Sequence, residues 1–297
     1  VDKHSARALA IVVDILAQLR HYVFGLLQLD PSEIVGAVSN AAAHITNQIE
    51  VLIALCFQRD TDLILQTDEY HLKRANRHGN ALSKKFTNHI YQKMLRDMGV
   101  AELALEMVVI PFVEKGVKTS SLRSVSKTFQ RDGGKDSFNG FNIIGEAAYL
   151  LLRVMMMNSP STKTHMDRYL CWFALPLSSP FCQLGTAMQT VNTMIELFSS
   201  NAQLLAQVDE GIIALFTDFL HQNDRFPRYL LFLSVLSECD GVPIARNQGM
   251  ILDYLIFKKQ LSEGNDSTAG VLIKAKPVTE AGRHDICVYE DGGLTEE

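Results

Sequence analysis

The chain has 297 residues, a formal net charge of −5 and 47% hydrophobic residues, a composition that is ordinary for a soluble globular protein. A chain of this length buries roughly 75% of its unfolded surface, in one large domain or two. No stretch reaches the roughly 18 uncharged apolar residues that a membrane-spanning helix needs. Because the first residue is Val1 and no signal-peptide pattern follows, we interpret the chain as a fragment of a longer protein.

The cysteines and glycines exclude several classes of function. Five cysteines are spaced too widely for a disulfide framework or a metal site: Cys56, Cys171, Cys182, Cys239 and Cys287. Most lie in apolar runs, as is typical of buried reduced thiols in a cytosolic protein. No glycine-rich phosphate loop follows a strand pattern, and no serine lies in a nucleophile elbow. We therefore expect no cofactor, no metal and no enzymatic activity.

The first half of the chain is dominated by apolar residues at three- and four-residue spacing, the period of an α-helix. This spacing predicts helices over residues 6–28 and from Val38 to about Phe57, with Asp30-Pro31-Ser32-Glu33 ending the first and capping the second. Residues 59–83 are polar and rich in turn formers. Two further helices are predicted on either side of Gly99: residues 83–98 and 100–115.

Apolar periodicity is lost from Gly116 to Gly140, where the composition predicts a long surface loop. Helical pattern resumes near Asn142 and is interrupted at Pro160. Shorter helices are then predicted at 164–175, 184–198, 202–208 and 210–220.

Two apolar helical runs lie between Arg225 and Leu255, and the polar turn Cys239-Asp240-Gly241 joins them. Strand-like patterns occur only at 271–278 and 286–289. Many short-looped helices without a clean repeat predict an all-α, armadillo-like α-solenoid of degenerate helical repeats with short strands at its C-terminal end. We expect a helical domain over residues 1–258, with a flexible loop at 117–140, and a linker with short strands over 259–297.

Basic residues concentrate in residues 71–96, which contain no acidic residue. Four groups spaced by four, four and three residues are predicted to share one helix face: Lys85, His89, Lys93 and Arg96. Three apolar side chains are expected to dock the neighbouring face on the core: Phe86, Ile90 and Met94. Taken alone, such a run is most often a solvated surface. It also suits a compact polyanion, since phosphate accepts charge-assisted hydrogen bonds from lysine and arginine.

The segment PRYLLFLSVLSECDGVPIARNQGMI, which begins at Pro227, resembles the closing motif of the RIH domain shared by inositol trisphosphate receptors and ryanodine receptors. The motif residues are Phe232, Leu233, Leu236, Gly241, Asn247, Gln248 and Ile251. The resemblance implies an armadillo-like helical domain on the cytosolic face of the endoplasmic reticulum membrane, within a homotetrameric ligand-gated calcium channel. It further implies an upstream β-trefoil domain, membrane attachment only through the rest of the channel, and no nucleic-acid partner.

The segment HIYQKMLRDMGV, which begins at His89, resembles the receptor segment RERQKLMREQNI, where a lysine and an arginine hold phosphates of inositol trisphosphate. Lys93 and Arg96 stand at those positions, which makes the chain closer to inositol trisphosphate receptors. His89 replaces a further arginine of the family. Lys85, one turn earlier, is a candidate for the same site.

A second ligand cluster of the receptors is a Tyr-Arg-Lys triplet, which falls on Thr162, Lys163 and Thr164 here. Only Lys163 keeps a cation, with Arg168 as a substitute one turn later. The resemblance thus implies coupling of ligand binding to gating. The alternative from the residues alone is an interaction scaffold whose basic patch binds a phosphoprotein, an anionic lipid surface or nucleic acid.

Overall fold

The computed structural model describes residues 3–29, 31–57, 87–109, 139–174, 177, 184–222 and 227–257. Almost all of these residues are helical, which confirms the all-α prediction. In chain order the helices are α1 (Lys3–Gln28), α2 (Pro31–Cys56), α3 (His89–Asp97), α4 (Val100–Val109), α5 (Asn139–Met156), α6 (Pro160–Asp167), α7 (Leu170–Ala174), α8 (Leu184–Phe198), α9 (Ala202–Ala206), α10 (Glu210–Gln222), α11 (Pro227–Ser237) and α12 (Ala245–Leu252). A π-helical turn, Asp253–Phe257, follows α12.

Helices α2, α5, α8 and α11 form a row in which each packs against the next. Helix α5 is the centre of this row because it is apolar on nearly every side, as a helix enclosed by neighbours must be. Its fully buried Tyr149 donates a hydrogen bond to the carbonyl of Phe173, 3.3 Å away. Aromatic side chains join α8, α10 and α11, with the rings of Phe198 and Phe216 both contacting Phe232. Successive stacking of this kind is the packing of an α-solenoid.

Helix α5 begins at Asn139, earlier than the start near Asn142 that periodicity predicts. A Cβ atom at Gly140 would lie 3.0 Å from the Cα atom of Ser39, so the first turn of α5 lies directly against the backbone of α2. This close approach requires a glycine, because any side chain would collide with the backbone of α2. Since glycine contributes nothing to an apolar helical pattern, the periodicity of the sequence does not reveal the first turn of α5. The remainder of the predicted loop lies outside the described residues.

Helix α3 begins at His89, so the prediction of a continuous helix over residues 83–98 is wrong. Asn88 caps it by accepting hydrogen bonds from the backbone amides of Ile90 and Tyr91, at 3.1 and 3.3 Å. Asparagine is among the best N-cap residues, which explains the start of the helix here. Thr87, just before the cap, forms a β-bridge with Phe57.

The predicted helix over 164–175 is two helices, α6 and α7, separated by a turn at Arg168 and Tyr169. Helix α6 starts at Pro160, where a missing amide hydrogen costs nothing in the first turn of a helix.

The turn predicted at Cys239–Gly241 is confirmed and forms a two-residue hairpin loop. Strands β1 (Glu238–Cys239) and β2 (Val242–Pro243) pair antiparallel, while Asp240 and Gly241 adopt φ angles of 49° and 82°. Positive φ at both central residues characterises the type I′ turn that Asp-Gly favours. The hairpin reverses the chain so that α12 returns along α11.

Asn247 and Gln248 of the C-terminal motif hold this helix pair together. The side-chain amide of Asn247, fully buried, donates to the carbonyls of Leu205 and Leu236 at 2.9 and 2.8 Å. Gln248 donates to the carbonyl of Ser237 at 3.2 Å. Each carbonyl lies at a helix end, where the last turn lacks intrahelical partners. The strands predicted at 271–278 and 286–289 lie outside the described residues.

Helix α1 is long and apolar enough over Ala6–Gln28 to cross a membrane by length and composition, with 33% of its most apolar window buried. The span Ala6–Gln28 contains three charged residues, Arg7, Asp14 and Arg20, so it is not an uncharged apolar stretch of the kind considered in the sequence. Core helices of soluble proteins pass the same test, and α1 packs against α2 and α4.

Candidate functional site

Helix α3 exposes two of the predicted ligand residues and partly exposes a third. The side chains of His89 and Lys93 are exposed, and that of Arg96 retains 15% of its full exposure. Neither a hydrogen bond nor an ion pair engages Lys93 within the described residues. Residues three and four apart lie on one side of a helix, so these groups form a cationic surface along α3. Lys85 lies outside the described residues.

The inner face of α3 differs from the prediction. Ile90 was expected to dock on the core, but its side chain is 77% exposed. Gln92 and Leu95 are fully buried in its place, while Met94 packs against the core as expected. Helix α3 is rotated about its axis relative to the predicted orientation. The reason is that its one buried polar side chain, Gln92, forms hydrogen bonds to backbone carbonyls of the core.

Gln92 anchors α3 to the end of α5. Its Nε2 atom donates to the carbonyls of Val154 and Met157 at 2.8 and 2.9 Å. These carbonyls lie at the C-terminal end of α5, where an outside donor is needed. The Oε1 atom of the same amide lies 3.0 Å from Nδ1 of His89. Gln92 therefore fixes the position of α3 relative to the C-terminal end of α5, and it also orients the ring of His89.

Arg96 links α3 to the first turn of α6. Its Nη1 atom donates to Oγ of Ser161 at 2.8 Å, while Nε and Nη2 contact a carboxylate oxygen of Asp97 at 3.0 and 2.8 Å. The N-cap residue of α6, Ser159, makes no side-chain hydrogen bond to the helix backbone. An arginine and the positive end of a helix thus lie together, an arrangement that favours an anion.

Lys163 points into the protein. Its side chain is 8% exposed, and its Nζ atom lies 2.9 Å from Oε1 of Glu196 and 2.8 Å from the carbonyl of Ser199. Both partners are at the C-terminal end of α8, so this ion pair ties α6 to α8. Thr162 is buried as well, and its Oγ1 lies 2.8 Å from Oγ of Ser159. Thr164 is exposed and donates to the carbonyl of Pro160.

The side chain of Arg153 adds to the positive charge around Glu196. Burial is the main reason that the pKa of the Arg153 guanidinium is lowered; Glu196 opposes the change and Arg228 adds to it. The buried carboxylate of Glu196 therefore acts on two cations, Lys163 and Arg153.

Arg168 lies at the opposite end of α6 from Ser161, about 10 Å along the helix axis at 1.5 Å per residue. It is exposed, donates to the carbonyl of His165 at 3.0 Å, and lies 5.4 Å from the centre of the Tyr169 ring. His165 and Tyr169 both contact Oε1 of Glu102, at 2.7 and 3.2 Å. Arg168 thus belongs to a contact between α6 and α4, away from the end of α6 that contacts Arg96.

In the described part of the chain, no group of three or more histidine, cysteine or acidic side chains is placed to hold a metal ion. Cys56 and Cys239 are free thiols.

Stacked helices and an exposed cationic helix define a helical-solenoid segment with a basic surface. A family model described as the RIH domain of the ryanodine and inositol trisphosphate receptors matches residues 46–262, well over half of the chain. The chain belongs to the RIH domain family and is part of a calcium-release channel of the inositol trisphosphate and ryanodine receptor type. Channels of this family are tetramers of the endoplasmic reticulum, and the RIH domain is cytosolic.

Three residues that organise this site were absent from the sequence predictions: Gln92, Ser161 and Glu196. The glutamine before the lysine was a visible signal, because it is shared with the receptor segment that α3 resembles. The sequence contains no comparable signal for Ser161 or Glu196. Each has its role because of a partner on another helix, which is Arg96 for Ser161 and Lys163 for Glu196.

Proposed function

We propose that α3 and the first turn of α6 form the helical half of an inositol trisphosphate site that couples ligand binding to channel gating. The observation that carries this proposal is the hydrogen bond between Arg96 and Ser161. It brings a guanidinium and the N-terminus of a helix together beside the exposed Lys93. Cations and a helix N-terminus both favour phosphate, and their effects add where they converge.

Within this proposal the predicted ligand residues take different parts. Lys93 and Arg96 bind phosphate, with His89 beside them on the same helix. Lys163 acts indirectly, because its ammonium group is engaged with Glu196 and Ser199 and holds α6 in place. Arg168 contributes at the far end of α6, where a long ligand or a second domain would reach it. Lys85 is proposed as an additional cation on the chain that enters α3.

The other half of the cleft comes from a β-trefoil domain upstream in the same channel, as the resemblance implies. A domain that approaches His89 and Lys93 would also cover the side chain of Ile90, which is 77% exposed beside them. A ligand that bridges both domains favours the closed arrangement by its extra contacts there. Gln92 and the Lys163–Glu196 pair pass that closure from α3 and α6 to α5 and α8.

The test is binding of labelled inositol 1,4,5-trisphosphate to the channel that contains this chain, in membrane vesicles. Lys93→Gln/Arg96→Gln should weaken binding at least a hundredfold, because a hydrogen bond to a charged group is worth about 1.5–3 kcal/mol and about 1.4 kcal/mol is tenfold. The control is the charge-matched double variant Arg7→Gln/Arg246→Gln, whose side chains lie on other, exposed surfaces. An isomer without the neighbouring 4,5-phosphates is the ligand control.

Equal binding by both double variants would contradict the proposal. Binding that ignores the isomer and falls steeply with salt would favour the interaction-scaffold alternative, since unselective polyanion binding depends mainly on counterion release. Single-channel recording of the same variants then separates loss of ligand from loss of coupling.

A further inference from the structure

The buried amide of Gln92 determines which ring nitrogen of His89 carries a hydrogen. Two backbone carbonyls, those of Val154 and Met157, lie 2.8 and 2.9 Å from Nε2 of Gln92. Carbonyl oxygens only accept hydrogen bonds, so both amide hydrogens are used there. The Oε1 atom of Gln92 can only accept, and Nδ1 of His89 lies 3.0 Å from it. Nδ1 of His89 must therefore be the donor, in the neutral ring as well as in the charged one.

This constraint determines whether the Nε2 atom of His89 can donate a hydrogen bond to a ligand. An unconstrained neutral histidine can move its hydrogen to Nε2 and still donate to an anion. His89 cannot do so without breaking its bond to Gln92, whose side chain is fully buried. When the ring is neutral, Nε2 presents a lone pair, which repels a phosphate oxygen. When the ring is protonated, Nε2 becomes a donor and carries charge.

We propose that His89 is a specificity-determining residue that admits phosphate only in its protonated form, so that protons and the inositol phosphate bind cooperatively. This inference rests on the function proposed above. A bound phosphate favours the charged ring, and by linkage the charged ring favours the phosphate by the same factor. Relative to a permanently charged side chain at this position, affinity therefore falls as the pH rises.

Charged neighbours do not supply another partner for the ring. On α3 itself, Lys93 is one turn away, and Arg96 is bonded to Asp97 and Ser161. Helices α2, α4, α5 and α6 pack against α3, and within the described residues none of their ionisable groups forms a hydrogen bond or ion pair with His89. On α2 and α4 these groups are Glu33, His44, Glu50, Cys56, Glu102 and Glu106. On α5 and α6 they are Glu146, Tyr149, Arg153, Lys163, His165 and Asp167.

The test compares wild type with His89→Arg, which carries a permanent charge at the same position. Dissociation constants for inositol 1,4,5-trisphosphate are measured in the intact channel near pH 6 and near pH 8, the range in which histidines titrate. The ligand's own phosphates also titrate, but they affect both proteins equally. We expect the ratio of the wild-type Kd to the His89→Arg Kd to rise roughly tenfold from the lower to the higher pH, as for one charge-assisted hydrogen bond.

A ratio that does not change with pH overturns the inference while leaving the proposed function intact. Failure of both wild type and His89→Arg to bind at either pH overturns the proposed function and the inference with it, whereas failure of His89→Arg alone overturns the inference. Nitrogen-15 NMR of the 297-residue chain gives a readout that needs no ligand. Hydrogen on Nδ1 of the neutral His89 ring supports the proposal, and hydrogen on Nε2 refutes it. Gln92→Met should release the constraint and flatten the pH dependence of binding.

Discussion

Replacing Asn247 by alanine should destabilise the domain by removing a buried polar link between three helices. The side chain is fully buried and donates two hydrogen bonds, of 2.9 and 2.8 Å, to the carbonyls of Leu205 and Leu236. Both carbonyls lie in the last turn of a helix, α9 and α11, where they have no partner in their own helix. One amide thus satisfies the ends of two helices and joins them to α12.

The expected cost follows from these two bonds. Each contributes about 1 kcal/mol net, and each carbonyl left buried without a donor adds roughly another 1 kcal/mol, so the total is about 2–4 kcal/mol. For a domain of this size that corresponds to a fall in Tm of roughly 5–10 °C. Thermal and urea unfolding, followed by circular dichroism, measure it. Asn247→Asp should cost at least as much, because a buried carboxylate would face the same carbonyl oxygens.

Gln248→Ala is the matched control for this prediction. Gln248 neighbours Asn247 on α12, is half-buried, and makes a single bond of 3.2 Å to the carbonyl of Ser237. Its loss should cost only about 0.5–1 kcal/mol. If both variants unfold at the same urea concentration, the idea that Asn247 clamps the helix ends is wrong.

Four further predictions concern other positions in the fold. Gly140→Ala should destabilise the protein by roughly 1–3 kcal/mol, because its Cβ would lie 3.0 Å from backbone; Gly249→Ala, with open space around it, should stabilise α12 by up to about 1 kcal/mol. Glu196→Gln should cost about 3–5 kcal/mol in urea unfolding, since it leaves Lys163 charged and buried. Burial raises the pKa of the Cys56 thiol to about 12, so iodoacetamide should not label it in native protein at pH 8 but should once the protein is unfolded.

Helix α8, and α2 from Val38 onward, were predictable because their evidence is local, whereas the start of α2 at Pro31 lies before the apolar stripe begins. An apolar stripe with the helical period lies within the segment itself, and the Asp-Gly dipeptide specifies its turn in the same local way. The resemblance to the RIH domain rests on the segments that begin at His89 and Pro227, and it is confirmed by the family match over residues 46–262.

The prediction for α3 was wrong because the apolar periodicity of the sequence extends further than the helix does. Phe86, Ile90 and Met94 keep a helical period, yet the Asn88 cap starts α3 afresh and Gln92 rotates it so that Ile90 faces solvent. A polar side chain in a predicted stripe gives no warning that it will be buried. Gln92 is buried because the carbonyls that satisfy it come from residues 62 and 65 positions later.

The sequence thus identifies the residues of the candidate site, but it does not determine which of their side chains are exposed to solvent. Spacing alone places His89, Lys93 and Arg96 on one side of a helix, because i, i+3 and i+4 neighbours share a face in any α-helix. Which way Lys163 points depends on Glu196 and Ser199, which a different helix brings beside it. The sequence pattern around a lysine does not show whether its side chain is exposed to solvent or paired with a buried carboxylate. For Lys163 the packing of α6 on α8 determines that the side chain is buried beside Glu196.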